Sequence, residues 1–144
     1  MGGPLGTARV RVAPILSRPR TAPPPGLPQA GAMQPLIVTL ALDGASQERF
    51  DELRRRHFPP QRNHLSAHLT LFHALPGELE REVRQDLAQT AERPPLTLRV
   101  PGLRFLGRGV AYALRSPELD ALRQALAARW GPHLTNQDRQ PHRP

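Results

Sequence analysis

The chain contains no cysteine and no lysine. The first absence excludes disulfides, iron–sulfur clusters, thiolate zinc sites and a cysteine nucleophile, so nothing in the sequence requires an oxidising compartment. The second excludes a Schiff-base lysine and a P-loop lysine. Aromatic residues are few, four Phe with one Tyr and one Trp, and they build no aromatic–basic motif of an RNA-recognition domain. Long apolar runs are missing too. The longest, residues 36–42, is interrupted by Thr39 and falls far short of the ~18 residues of a membrane span. Residues 9–20 carry Arg9, Arg11, Arg18 and Arg20 without an acid, but Arg11 and Pro14 break the stretch 10–16, which leaves no apolar core for a secretion signal. The sequence reads as a cytoplasmic protein without a membrane segment.

What is present fits one domain with a modest core: 144 residues, 38% of them hydrophobic. All 20 basic residues are arginine, against 12 acids, for a formal charge of +8. Arginine forks suit phosphate. A GC-rich genome produces the same replacement of lysine, so the charge alone leaves an anionic partner open.

Residues 1–33 hold seven prolines and five glycines, with no aromatic residue and no sustained periodicity, and are expected to form a disordered Pro/Gly/Arg-rich head. The composition changes at Met33, which suggests either a natural start there or a flexible tail before it. The domain is expected over 34–144. Residues 36–42 read as a buried strand closed by Asp43-Gly44. A helix follows with Ser46 as N-cap and Phe50, Leu53 and His57 at helical spacing, stopped by Pro59-Pro60. After a loop at 58–66, residues 67–75 read as strand. A second helix spans 78–92 with Leu79, Val83 and Leu87 buried and Glu78, Glu80, Arg81, Arg84 and Asp86 mostly on the wet side. Strands at 96–100, 103–106 and 110–114 include a hairpin about Gly107-Arg108-Gly109. A third helix at 117–130 starts with Pro117 and buries Leu119, Leu122, Leu126 and Trp130. The order β-α-β-α-β-β-β-α, with a late hairpin and no Gly-rich strand-to-helix turn, indicates an α+β fold with antiparallel pairing.

Within the second strand His68 and Thr70, two residues apart, project to one face, and Leu69 and Leu71 to the other. An imidazole moves protons near neutral pH, and a hydroxyl beside it donates to a phosphoryl oxygen. His-x-Thr by itself is a common pattern, and its strand context gives it weight. The run His68-Leu69-Thr70-Leu71-Phe72, preceded by the first strand and helix, resembles the first signature of the two-histidine phosphoesterases, the 2′-5′ RNA ligase-like family. Residues 134–140, followed by Arg143-Pro144, resemble the loop leading into that family's second signature, where Arg-Pro precedes a second His-x-Thr. The resemblance covers residues 35–144.

It implies two lobes of mostly antiparallel sheet with flanking helices, the C-terminal lobe incomplete here, because the chain reaches Pro144 where the second motif begins. In the family the two motifs face one another across a cleft. One histidine deprotonates the attacking oxygen, the other protonates the leaving oxygen, and both threonines bind the phosphate, with no metal or other cofactor. His68 and Thr70 carry over as catalytic residues. The implied substrate is an RNA end or cyclic nucleotide, handled by a monomer. With one motif of two, the expectation is a 2′,3′-cyclic phosphodiesterase-type domain of impaired activity. The alternatives are a non-catalytic nucleotide or RNA-end binding module and a truncated product without function.

The remaining candidates are weaker. His133-Leu134-Thr135 repeats His-Leu-Thr but sits in turn chemistry, where a threonine caps backbone. His73 is five residues from His68, an odd separation, and is expected on the opposite face. His57 and His64 flank the loop before the motif strand, the spacing His64-x-x-x-His68 suits a metal pair on a helix and not one running from loop to strand, and His142 is near the second motif without being its histidine. Arg139 and Arg143 could contact a substrate phosphate, and surface solvation explains them equally well. Arg54, Arg55 and Arg56 diverge around a helix and read as a solvated helix end, not one flat patch.

Overall fold

The computed structural model of the protein describes residues 6–17 and 33–142. Five strands and four helices follow one another along these residues: β1 (Thr7–Ser17), β2 (Leu36–Leu42), α1 (Gly44–His57), β3 (Leu69–Leu75), α2 (Glu80–Ala91), β4 (Leu96–Phe105), β5 (Val110–Arg115), α3 (Pro117–Arg129) and the short α4 (Asn136–Arg139). Every strand pair is antiparallel, in the order β3-β2-β1-β4-β5. The α+β class and flanking helices expected from the sequence are those of the structure. The pairs β2–β3 and β4–β5 form its two halves, joined through β1.

That central strand corrects the reading of the head, since Thr7–Ser17 pair with both β2 and β4. Thr7 to Val12 alternate in the manner of a strand, a signal that the proline content outweighed. Pro14 is tolerated because it lies in the register shift between Arg11 and Ile15, where β1 carries extra residues against β2 and a missing N–H removes no ladder bond. The rest of the head, including Arg18 and Arg20, lies outside the described residues.

Local chemistry sets the helix ends. Asp43, not Ser46, caps α1: its carboxylate accepts from the Ser46 amide at 3.0 Å and the Ser46 hydroxyl at 2.6 Å. Ser116 caps α3 through the Leu119 amide, with Pro117 in the first turn. The two strands expected at 96–106 are one, β4, with a register shift at Pro101-Gly102 that keeps the ladder going past the proline. Gly107 turns the hairpin into β5 at φ +84°, a conformation that other residues rarely adopt.

The core lies between the sheet and the helices α2 and α3. Leu36, Val38 and Leu40 of β2, Leu71, Phe72 and Leu75 of β3, and Leu96 and Leu98 of β4 meet Val83 and Leu87 of α2 and Leu119, Leu122, Leu126 and Trp130 at α3. Phe72 packs edge-on against Trp130 at 5.0 Å between ring centroids. Asp86, expected on the wet face of α2, is buried: it accepts from Trp130 Nε1 at 2.8 Å and from Arg129 at 2.6 Å. An indole N–H sealed in a core needs an acceptor, and Asp86 is the one within reach. Among the described residues no helix is long and apolar enough to cross a membrane.

Candidate phosphoester site on the third strand

Ala67 and His68 lead directly into β3, and α1 holds this entry. The Ala67 amide donates to Asp51 Oδ1 at 2.6 Å, while the Gln47 side-chain amide donates to Asp51 Oδ2 at 3.0 Å and to the Ala67 carbonyl at 2.9 Å. Partial burial pushes the Asp51 carboxyl up, but the Ala67 amide, Gln47, Arg55 and Arg54 outweigh it and hold its pKa below the usual 3.8. Neither Asp51 nor Gln47 stood out in the sequence; a helical i,i+4 polar pair is too common a signal.

The His68 side chain is exposed, and its Nδ1 lies 2.8 Å from the Ser66 carbonyl. A carbonyl oxygen only accepts, so Nδ1 carries a proton, and Nε2 is the nitrogen that can hold a lone pair. Thr70 is half-buried and sits opposite Thr39 of β2. Both His68 and Thr70 line a cleft of about 1400 Å³; Leu69 and Leu71, expected on the opposite face, contribute to the same lining, although Leu71 is fully buried in the core and Leu69 half-buried. The cleft is bounded by α1, the β4–β5 hairpin and the segment after α4.

Its lining combines two chemistries. Phe50 and Tyr112 meet edge-on at 5.0 Å, beside Leu53, Leu103, Leu106 and Val110. Arg49, Arg54, Arg56, Arg62, Arg104, Arg108 and Arg123 outnumber the acids Glu52 and Asp138, so the lining carries a positive excess beside its apolar wall. The arginine run at the end of α1 divides as its helical spacing requires. Arg55 and Arg56 both pair with Glu52, at 2.7 and 2.8 Å, and Arg54 bonds Asn63 and covers the Phe58 ring.

β3 carries one more residue than β2 between the Thr39–Thr70 and Val38–Phe72 pairs, and another between Val38–Phe72 and Leu36–Leu75. These bulges break the period-2 rule, and Leu71 and Phe72 are both buried. They also correct the placement of His73, which lines the same cleft as His68 and Thr70. His142 is brought to the site as well: its Nε2 donates to the Thr70 carbonyl at 3.1 Å, and its Nδ1 is buried without a hydrogen-bond partner among the described residues. Burial holds its pKa below 6.5 despite the Thr70 carbonyl, which favours the charged form.

Other candidates lie elsewhere. Thr135 caps α4 by accepting from the Asp138 amide at 3.3 Å, and neither it nor His133 lines the cleft. Arg139 is also away from the cleft lining and donates to the Leu134 carbonyl at 3.1 Å. Arg143 lies outside the described residues. Among the described residues no three histidine or acidic side chains are grouped to hold a metal ion.

An α+β protein with a His-x-Thr strand at the floor of an arginine-lined cleft is thus defined by its fold and site. The family model of the 2′-5′ RNA ligase superfamily matches residues 42–144, a span that contains every residue lining the cleft, and the chain belongs to that superfamily. No curated protein and no solved structure matches the chain.

Proposed function

We propose that the cleft binds the phosphorylated end of an RNA or a 2′,3′-cyclic nucleotide, with the phosphoryl group at His68 and Thr70. The observation that carries this reading is that His68 and Thr70 both line one arginine-rich cleft, with His68 Nδ1 held on the Ser66 carbonyl. With the Nδ1–H donating to the Ser66 carbonyl, the unprotonated Nε2 takes a proton from an attacking water, and Thr70 donates to a phosphoryl oxygen as negative charge builds there. The apolar wall of Phe50, Tyr112 and Leu103 takes the nucleoside face.

Opening a cyclic phosphodiester requires a second group that protonates the leaving oxygen. His133 is away from the cleft, His142 turns its Nε2 to a main-chain carbonyl, and His73, which does line the cleft, is tied through Nδ1 to the buried Asp138. With no second His-x-Thr pair beside His68 and Thr70 among the described residues of the cleft, the cleft binds the phosphodiester and turns it over slowly. The arginine excess supports the second reading, an RNA-end binding module, through the same cleft.

Hydrolysis and binding of 2′,3′-cyclic AMP by the wild type, His68→Ala and Thr70→Ala test this. Any turnover should fall by about 10²-fold or more in His68→Ala, and binding should weaken in Thr70→Ala. Turnover in the wild type that is indifferent to His68→Ala, or a wild type that neither binds nor hydrolyses, overturns the proposal. Binding without turnover selects the module.

A further inference from the structure

β3 is the outermost strand of its side of the sheet, so one row of its backbone groups faces no neighbouring strand. Side chains take that row over. The Thr70 carbonyl accepts from His142, and the Leu71 carbonyl accepts from Arg123 Nε at 2.9 Å. The His73 amide donates to both Asp138 carboxylate oxygens at 3.0 Å, and the Ala74 amide to Oδ2 at 3.1 Å. In a regular strand successive residues turn their backbone groups to opposite edges. Here 70 and 71, and again 73 and 74, turn them to the same side, which the extra residues in β3 make possible.

The side chains that hold this edge are themselves charged and buried. Asp138 is 1% exposed and Arg123 6%. Arg123 also donates to the Asp138 carbonyl at 2.6 Å and lies 3.9 Å over the Phe72 ring, while Asp138 Oδ1 receives His73 Nδ1 at 3.0 Å. A buried charge is expensive for a fold to keep, and fixing register is its best-attested use. Register matters at this strand because a one-residue slip turns every side chain to the other face, and Thr70 would then leave the cleft.

We infer that Arg123 and Asp138 are positioning residues for the His68–Thr70 site: they replace a neighbouring strand, lock the bulged register of β3 and so fix where Thr70 points. The inference rests on the reading that this pair receives the phosphoryl group. Arg123 and Asp138 also line the cleft, but their hydrogen bonds go to the β3 backbone, to His73 and to one another.

The test uses the full chain with Asp138→Asn and Arg123→Lys, singly and each with His68→Ala. Asparagine keeps the shape but is uncharged and has a single carbonyl oxygen, so the two amides share one neutral acceptor and the NH₂ replaces the oxygen that received His73 Nδ1 and the second branch of the His73 amide. Lysine cannot span the Leu71 and Asp138 carbonyls with a planar fork. Hydrogen exchange at His73 and Ala74 should accelerate at least about tenfold in Asp138→Asn while Leu40 of β2 stays protected. Affinity for adenosine 2′-monophosphate should fall about tenfold, and adding His68→Ala should weaken it no further than His68→Ala alone, because the variants act through one site.

Unchanged exchange at His73 and Ala74, or losses that multiply in the double variants, overturns the inference. If the wild type does not bind the nucleotide, the proposed function fails while exchange still judges the edge clamp. If Asp138→Asn does not fold, Arg123→Lys decides. If neither folds, the two residues are core elements and the positioning role is rejected.

Discussion

Replacing Asp51 with alanine removes the anchor in front of His68. The carboxylate accepts the Ala67 amide at 2.6 Å and the Gln47 amide at 3.0 Å, whereas Gln47 keeps its other bond, to the Ala67 carbonyl. One charge-assisted hydrogen bond to a backbone amide contributes ~1.5–3 kcal/mol, and at this half-buried position about 2 kcal/mol is the reasonable figure. For a chain of this size that lowers Tm by roughly 6–8 °C. The loss also has a pH signature. The Asp51 pKa is depressed below 3.8 in the folded protein, so its stabilisation is fully present above that value and is lost as pH falls through the folded pKa. Thermal unfolding by circular dichroism at pH 7, 5 and 3 reads both effects. The gap between wild type and Asp51→Ala should be equal at pH 7 and 5 and narrower at pH 3. An equal gap at pH 3, or no gap at pH 7, refutes the anchor.

Three further perturbations test other parts of the structure. Asp86→Ala strands the buried indole N–H of Trp130 and breaks a half-exposed bridge to Arg129, so chemical unfolding should show a loss of ~2 kcal/mol, largely restored by Asp86→Asn. His142 has a folded pKa below 6.5, so its contribution is full above that value and is lost as pH falls from there through the folded pKa; His142→Gln should remove this segment from the stability profile between pH 7 and 5, and an unaltered profile contradicts the burial of its ring. Deleting residues 1–32 removes the strand paired with both β2 and β4, so Tm and unfolding cooperativity should drop; unchanged unfolding would return the segment to a dispensable head.

Much of this architecture is legible in local patterns. Val38-Thr39-Leu40 in a short branched run gives β2, Leu119, Leu122, Leu126 and Trp130 give the buried stripe of α3, and His68-x-Thr70 gives a cleft-facing pair at the start of β3. What was hidden depends on partners far away in the chain. Asp138 reads as a loop acid, yet it bonds amides 64 and 65 residues earlier. Asp86 falls on the polar side of a helical wheel and becomes buried only because Trp130 brings an N–H to it. His73 follows from period 2 until the bulges reset its face, and no single-residue propensity announces a bulge. In β1 the alternation of Thr7 to Val12 is short, and the seven prolines and five glycines of residues 1–33 outweigh it; Pro14 finds its place only in the register shift.

The central claim is that the cleft at His68 and Thr70 is where this chain receives a phosphorylated nucleotide. Titration of the isotope-labelled protein with adenosine 2′-monophosphate, followed by amide and imidazole chemical shifts, tests it most directly. Shifts should concentrate at His68, Thr70, Phe50, Leu103 and Tyr112, saturate together, and vanish from that set in Thr70→Ala at the same ligand concentration. Shifts confined to the far surface groove along residues 78–85, or none at all, would contradict the account.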